Sequence, residues 1–199
     1  MNALSLADVF APDDFPPSAA DHAVERQFQY LDRCRRLPIG PAVTVVFENR
    51  QTLWFRIQEL AQVARATDPD HIQPELNWYS KLLPGQNRLH AAVWVAEPGR
   101  RPSKALAVVR LAVANGRIGF RADDGHEVAG TFRTNRVNDH LIGLALWAEF
   151  HFTGDDRTAF ADANRIWHLF VEAAGYCHEG NRLSPEVRES LLQDLGDGE

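Results

Sequence analysis

A change of period inside one stretch, Ile39 to Arg65, constrains this chain more than any other feature. The stretch reads IGPAVTVVFENRQTLWFRIQELAQVAR. Val43-Thr44-Val45-Val46-Phe47 is a β-branched run, the composition of a buried strand. Glu48-Asn49-Arg50-Gln51 breaks it. From Thr52 onward Leu53, Trp54, Ile57, Leu60, Ala61 and Ala64 recur at helical spacing, which places them on one face of a helix and never on one face of a strand. Arg56, Glu59, Gln62 and Arg65 fall off that face, and Asn49 or Thr52 caps the first turn. The chain must therefore accommodate a strand, a tight turn and an amphipathic helix in immediate succession.

The remaining sequence supplies more of both kinds of element. Ser18 with Asp21 opens a helix expected from about Ala19 to Arg36, which Pro38 and Gly40 stop. Ile72 to Leu83 reads as a helix ended by Pro84-Gly85, Arg88 to Ala96 as a strand, and Ser103 to Ala112 as a helix. Ile118 to Arg121 and His126 to Phe132 form two strands joined by Asp123-Asp124-Gly125. His140 to Phe152 carries no acidic or basic charge until Glu149 and reads as a central strand. A short helix over Arg157 to Asn164 and a strand over Ile166 to Val171 follow, and Ser184, Pro185 and Gly196 bound a C-terminal helix. Hairpin-length links favour an α+β fold: a single domain over residues 18–199, with a mainly antiparallel sheet and helices packed on it. A parallel α/β sheet is the alternative, but the second half lacks helices long enough for the crossovers. Residues 1–17, broken by Pro12, Pro16 and Pro17, read as an N-terminal arm.

Charge and composition remove several function classes. A formal net charge of −6 gives no electrostatic footprint for nucleic acid or an anionic membrane. No apolar run reaches the length of a membrane span, and the acidic N-terminus lacks the pattern of a signal peptide. Cys34 and Cys177 alone make neither a disulfide framework nor a zinc ribbon, so the expected setting is a reducing cytoplasm.

Four segments carry a resemblance. FENRQTLWFRIQEL, IQPELNWYSKLLPG and LHAAVWVAEP, with AGYCHEGNRLSPEVRESLLQDL near the end, are similar to a bacterial family, domain-of-unknown-function family 3501. The likeness is strongest from about Phe28 to Pro98. Members are often encoded beside a rubrerythrin and an iron–sulfur oxidoreductase. The resemblance thus implies an accessory or interaction protein serving a redox or biosynthetic partner, with a link to redox stress and no established activity. Arg56 stands where the family usually has glutamine, and Leu60 where it has methionine.

Four sets of residues are candidates for chemistry. Arg50 and Arg56, with Gln58 and Glu59 beside them, suit a clamp on a small anionic ligand. The plain alternative is a solvated helix face with ordinary charge pairs. Glu149 and His151, two apart on a strand, project from one face and suit a metal or an acid–base pair. His90, His140 or His168 would supply a further ligand; otherwise the pair simply marks where the strand meets solvent. Cys177, in Gly175-Tyr176-Cys177-His178-Glu179-Gly180, is a candidate redox thiol on a loop, against the default of an incidental cysteine. Five tryptophans would line a planar-cofactor pocket or, more ordinarily, fill a core. No motif for a cofactor is evident: there is no glycine-rich phosphate loop, nucleophile elbow or CxxC. Whether the protein is an enzyme stays open at this level.

Overall fold

The computed structural model describes residues 25–26, 29–63, 69–96, 104–133 and 145–196, the side chains of 58–63 and 69–72 excepted. Its centre is one antiparallel sheet of eight strands: β1 (Arg36–Ile39), β2 (Val43–Glu48), β3 (Arg88–Val95), β4 (Arg117–Ala122), β5 (Glu127–Arg133), β6 (Leu146–His151), β7 (Trp167–Ala173) and β8 (Tyr176–Arg182). Their spatial order is β1-β2-β3-β6-β5-β4-β7-β8. The sheet curls until its edges meet and is nearly a barrel. Tyr176 of β8 fastens the closure. Its hydroxyl donates to the Ile39 carbonyl at 2.5 Å and accepts from the amides of Ala42 and Val43, both at 3.1 Å. Gly40 sits at the same seam with φ +65°, and a Cβ there would lie 2.5 Å from the His178 ring, so the turn needs glycine for conformation and for space.

Side-chain alternation gives the sheet two different faces. Val45, Phe47, Leu89, Ala91, Val93, Ala148, Phe150, Ile118, Phe120, Leu169 and Val171 point inward and make the main core. Helices α3 (Lys104–Ala114), α4 (Gly154–Ala161) and α5 (Pro185–Gly196) add Val113, Phe160, Val187, Leu191 and Leu195 to it. On the outer face, α1 (Arg50–Val63) and α2 (Pro69–Tyr79) cover β2, β3 and β6. There Leu53, Ile57, Leu76 and Tyr79 pack on Ala92, Ala145 and Trp147 in a second core. The strand-to-helix junction is held by a reciprocal cap. The Asn49 side chain accepts from the Thr52 amide at 2.9 Å, and the Thr52 hydroxyl accepts from the Asn49 amide at 2.8 Å.

The α+β class and the antiparallel sheet agree with the sequence reading, whereas the curvature and two edge strands depart from it. Arg36–Ile39 continues no helix. Helical residues reach Tyr30, a π-helical turn follows at Leu31–Arg35, and the chain then enters β1. Pro38 is tolerated because β1 is an edge strand. The segment around Cys177 is not a loop but β8, a hairpin partner of β7 turned at Gly175 with φ +74°. Its polar, exposed sequence hid it, because an edge strand buries little. Helix α4 begins at Gly154, not Arg157: Thr153 and Asp156 form a capping box. The arm expected at 1–17 and the start of the first expected helix lie outside the described residues.

A buried ion pair ties the N-terminal segment to the C-terminal helix. Arg35, 1% exposed, pairs with Asp194 and donates to the Ser190 hydroxyl at 2.6 Å and to the Tyr30 hydroxyl at 2.7 Å. Breaking one side of a buried pair strands the other charge. We expect Asp194→Ala to lower unfolding free energy by about 3–5 kcal/mol in urea titration. An Arg35→Met/Asp194→Leu double variant should lose much less than the two single losses combined.

Candidate functional site

The outer face of β2, β3, β6 and β5 carries one polar row in an otherwise apolar layer. Strand register aligns Glu48 with His90, His90 with Glu149, and Glu149 with Thr131. Residues directly opposite in an antiparallel pair project to the same side, so these four form a line across the sheet. Arg88 and His151 continue it toward the strand ends, and Trp147 and Arg133 face each other in the adjacent row.

Glu149 is the centre. It is 7% exposed, and four side chains reach its carboxylate. Arg133 Nε donates to Oε2 at 2.7 Å, and Arg88 Nε lies 3.0 Å from Oε1. His151 Nε2 lies 3.1 Å and His90 Nε2 3.4 Å from the same Oε1. Burial pushes the Glu149 carboxyl up, but the Arg133 hydrogen bond and the surrounding positive groups outweigh burial and hold it below the usual glutamate value. The carboxylate is ionised at neutral pH.

His90 is 2% exposed. Its Nδ1 lies 3.1 Å from the Leu82 carbonyl and 3.2 Å from the Leu83 carbonyl. Carbonyl oxygens only accept, so Nδ1 carries the proton and Nε2 presents a lone pair. Burial is the largest influence on this imidazole and pushes its pKa down; Glu149 pulls it up and Arg133 pushes it down, and the net value lies below that of an ordinary histidine. Nε2 is buried without a hydrogen-bond partner among the described residues. The indole Nε1–H of Trp147, 4% exposed on the same face, is likewise without one. Two unsatisfied polar atoms in one buried patch are unusual enough to mark it.

Next to this centre, Arg56 is committed to Glu48. Its Nε donates to Glu48 Oε1 at 2.8 Å, and its guanidinium lies 5.7 Å from the ring centroids of both Trp94 and Trp147. Glu48 is fully buried and also accepts from the Thr52 hydroxyl at 2.5 Å. Arg50 lies half-buried in the first turn of α1. It stands six positions from Arg56, which sets the two about 120° apart around the helix and does not aim them at one point. The side chains of Gln58 and Glu59, and all of His140, lie outside the described residues.

The structure places Glu149 beside His151, its neighbour at two-residue spacing, and beside His90, one of the three further histidines, and adds Arg88 and Arg133, which no local motif signalled. Each Glu149 oxygen already faces an arginine Nε–H, and two guanidinium charges oppose a divalent cation at that carboxylate. Among the described residues no group of three or more His, Cys, Asp and Glu side chains is arranged to hold a metal ion. His168 is elsewhere, its Nδ1 3.0 Å from the Gly180 carbonyl. Cys177 is exposed on β8, where its thiol donates to the Ala173 carbonyl at 3.3 Å, and Cys34 is buried. No described helix is long and apolar enough to cross a membrane.

The two perturbed groups give acid sensitivity in separate windows. Unfolded, His90 takes its proton near the ordinary value of about 6.5, before the folded protein does, so stability falls as pH drops below that point. Glu149 contributes stability that is present above about 4.3 and lost as pH falls through its lower folded value. Urea midpoints measured against pH should therefore fall in two stages, and His90→Gln should remove the earlier one.

Comparison with known proteins adds fold and family but no activity. A family described as "Protein of unknown function (DUF3501)" matches residues 19–195. A solved structure described as a novel protein of unknown function from Burkholderia pseudomallei K96243 superposes with a TM-score of 0.73 at 23% identity, covering 89% of this chain and 92% of that one. That likeness establishes a shared fold alone. No curated protein matches the sequence. On the extent of its family match, the chain belongs to the DUF3501 family of proteins of unknown function.

Proposed function

We propose that this protein is a binding module for a small anionic ligand, seated at the Glu149 cluster, and that it serves a partner instead of turning over a substrate alone. One observation carries the reading: a single carboxylate is opposed by two guanidinium groups. Arg133 donates to Glu149 through Nε and Arg88 approaches it through Nε at 3.0 Å, and no hydrogen bond engages their terminal N–H groups among the described residues. Their side chains are 44% and 33% exposed, so these donors border solvent. Counted over the described residues, local charge is therefore positive in a chain whose formal charge is −6. Forked N–H donors of this kind suit carboxylate and phosphate groups. The anchors are then Arg88 and Arg133, with Arg56 setting the wall through Glu48 and the two indoles. The redox or biosynthetic partner that the family resemblance implied fits a module of this kind.

A metal at Glu149 and His151 with His90 is the second reading, suggested by two imidazole Nε2 atoms within 3.4 Å of one carboxylate oxygen but opposed by the two guanidinium groups and by the lack of a three-residue metal-binding arrangement among the described residues. Stoichiometric metal in untagged protein, lost in a Glu149→Ala/His151→Ala variant, would support it over the anion reading.

A ligand selective for the folded state raises stability, by about 2.7 kcal/mol at a hundredfold excess over Kd. We expect orthophosphate to raise Tm in a saturable way, and Arg88→Met/Arg133→Met to abolish the rise without unfolding the protein. An undiminished rise in that variant would remove the cluster as the site.

A further inference from the structure

We infer that the Glu149 site selects oxyanions that keep an O–H at neutral pH, hydrogenphosphate being the simplest, over fully deprotonated ones such as sulfate. This inference rests on the anion reading above and names its ligand class.

The argument comes from the mixed character of the groups around one point. Arg88 and Arg133 present donors, which any oxyanion satisfies. Glu149 presents a buried, ionised carboxylate between them, and it only accepts. His90 supplies no hydrogen to that carboxylate, because its Nδ1 proton is taken by the Leu82 and Leu83 carbonyls and its buried Nε2 faces Glu149 Oε1 at 3.4 Å as a lone pair. No described hydrogen bond satisfies that lone pair. Glu149 lies between the two arginines, so an anion they draw in is sorted by whether the oxygen it turns toward that carboxylate carries a proton. If that oxygen carries a proton, it donates to the carboxylate and the contact is a charge-assisted hydrogen bond. If it carries none, two negative oxygens meet in a partly dehydrated site and repel.

The same logic operates where a site built to hydrogen-bond a hydroxyl rejects an analogue that lacks it. Two sources share this chemistry, an inorganic oxyanion acid and a hydroxycarboxylate. Hydrogenphosphate and sulfate carry equal charge and similar size when the buffer makes phosphate chiefly the dianion, so their difference isolates the proton. Glycolate and acetate make the matching pair for carboxylates.

The test is calorimetric titration of the full chain with orthophosphate, sulfate, glycolate and acetate in turn. We expect the O–H-bearing member of at least one pair to bind more tightly by roughly tenfold or more. The pair that shows the preference identifies the source. Equal binding within each pair, or a preference for sulfate or acetate, overturns the inference and leaves the anion reading standing. No binding by any of the four overturns both. In Glu149→Gln the side-chain amide offers a donor in place of the charge, so the phosphate preference should collapse toward unity through a gain in sulfate binding. If that variant does not fold, the wild-type comparison decides by itself.

Discussion

Strands β2, β3 and β6 are covered on both faces, and most of what distinguishes this structure depends on that. Their inward residues enter the main core, while their outward residues lie under α1 and α2. An ionisable side chain on the outward face is thereby removed from water and must find its partners within the protein. Glu48 does so with Arg56 and Thr52, and Glu149 with Arg88 and Arg133. The apolar layer raises the cost of each charge, and the sheet register brings the compensating groups within reach. His90 and Trp147 complete the same layer with one nitrogen each left unsatisfied.

Contrast with the other side of the barrel sharpens the point. Across β4, β5 and β7, Arg117 and Arg121 pair with Glu127 and Glu172 in a ring above the Phe170 side chain. These groups stand on an outer face that no described helix covers in the way α1 and α2 cover β2 and β3, and every contact joins an acid to a base. Such a network is a solvated surface whose pairs are individually weak. The Glu149 cluster differs because its carboxylate is buried, its cations exceed its anions, and it contains an uncharged imidazole held in one tautomer.

How much of this was legible in the sequence depends on how local the cause is. The period change at Thr52 located α1, and Asn49 and Thr52 were readable as caps because their bonds span three residues. Asp123-Asp124-Gly125 gave the hairpin, and Ser184-Pro185 the start of α5. Glu149 and His151 were readable as neighbours from the two-residue period of a strand. What escaped was non-local or weakly patterned. Barrel curvature is set by how Tyr176 meets Ile39 across 137 residues of chain. β1 and β8 are edges, with Pro38 in one and a polar run in the other, so neither carries a strand signature. Arg88 and Arg133 sit at strand ends and reach Glu149 only through the β3–β6–β5 register. Arg56 reaches Trp94 and Trp147 across the same layer, a contact that no local pattern signals.

The central claim is that an ionised Glu149 sits against a neutral His90 whose Nε2 is a lone pair. Long-range nitrogen–proton correlation spectra of histidine-labelled protein at neutral pH test this most directly. The account predicts a His90 signal of the less common tautomer, protonated at Nδ1 and unprotonated at Nε2, with Nε2 perturbed when orthophosphate is added. A His90 signal protonated at Nε2, or a doubly protonated imidazolium, would contradict it.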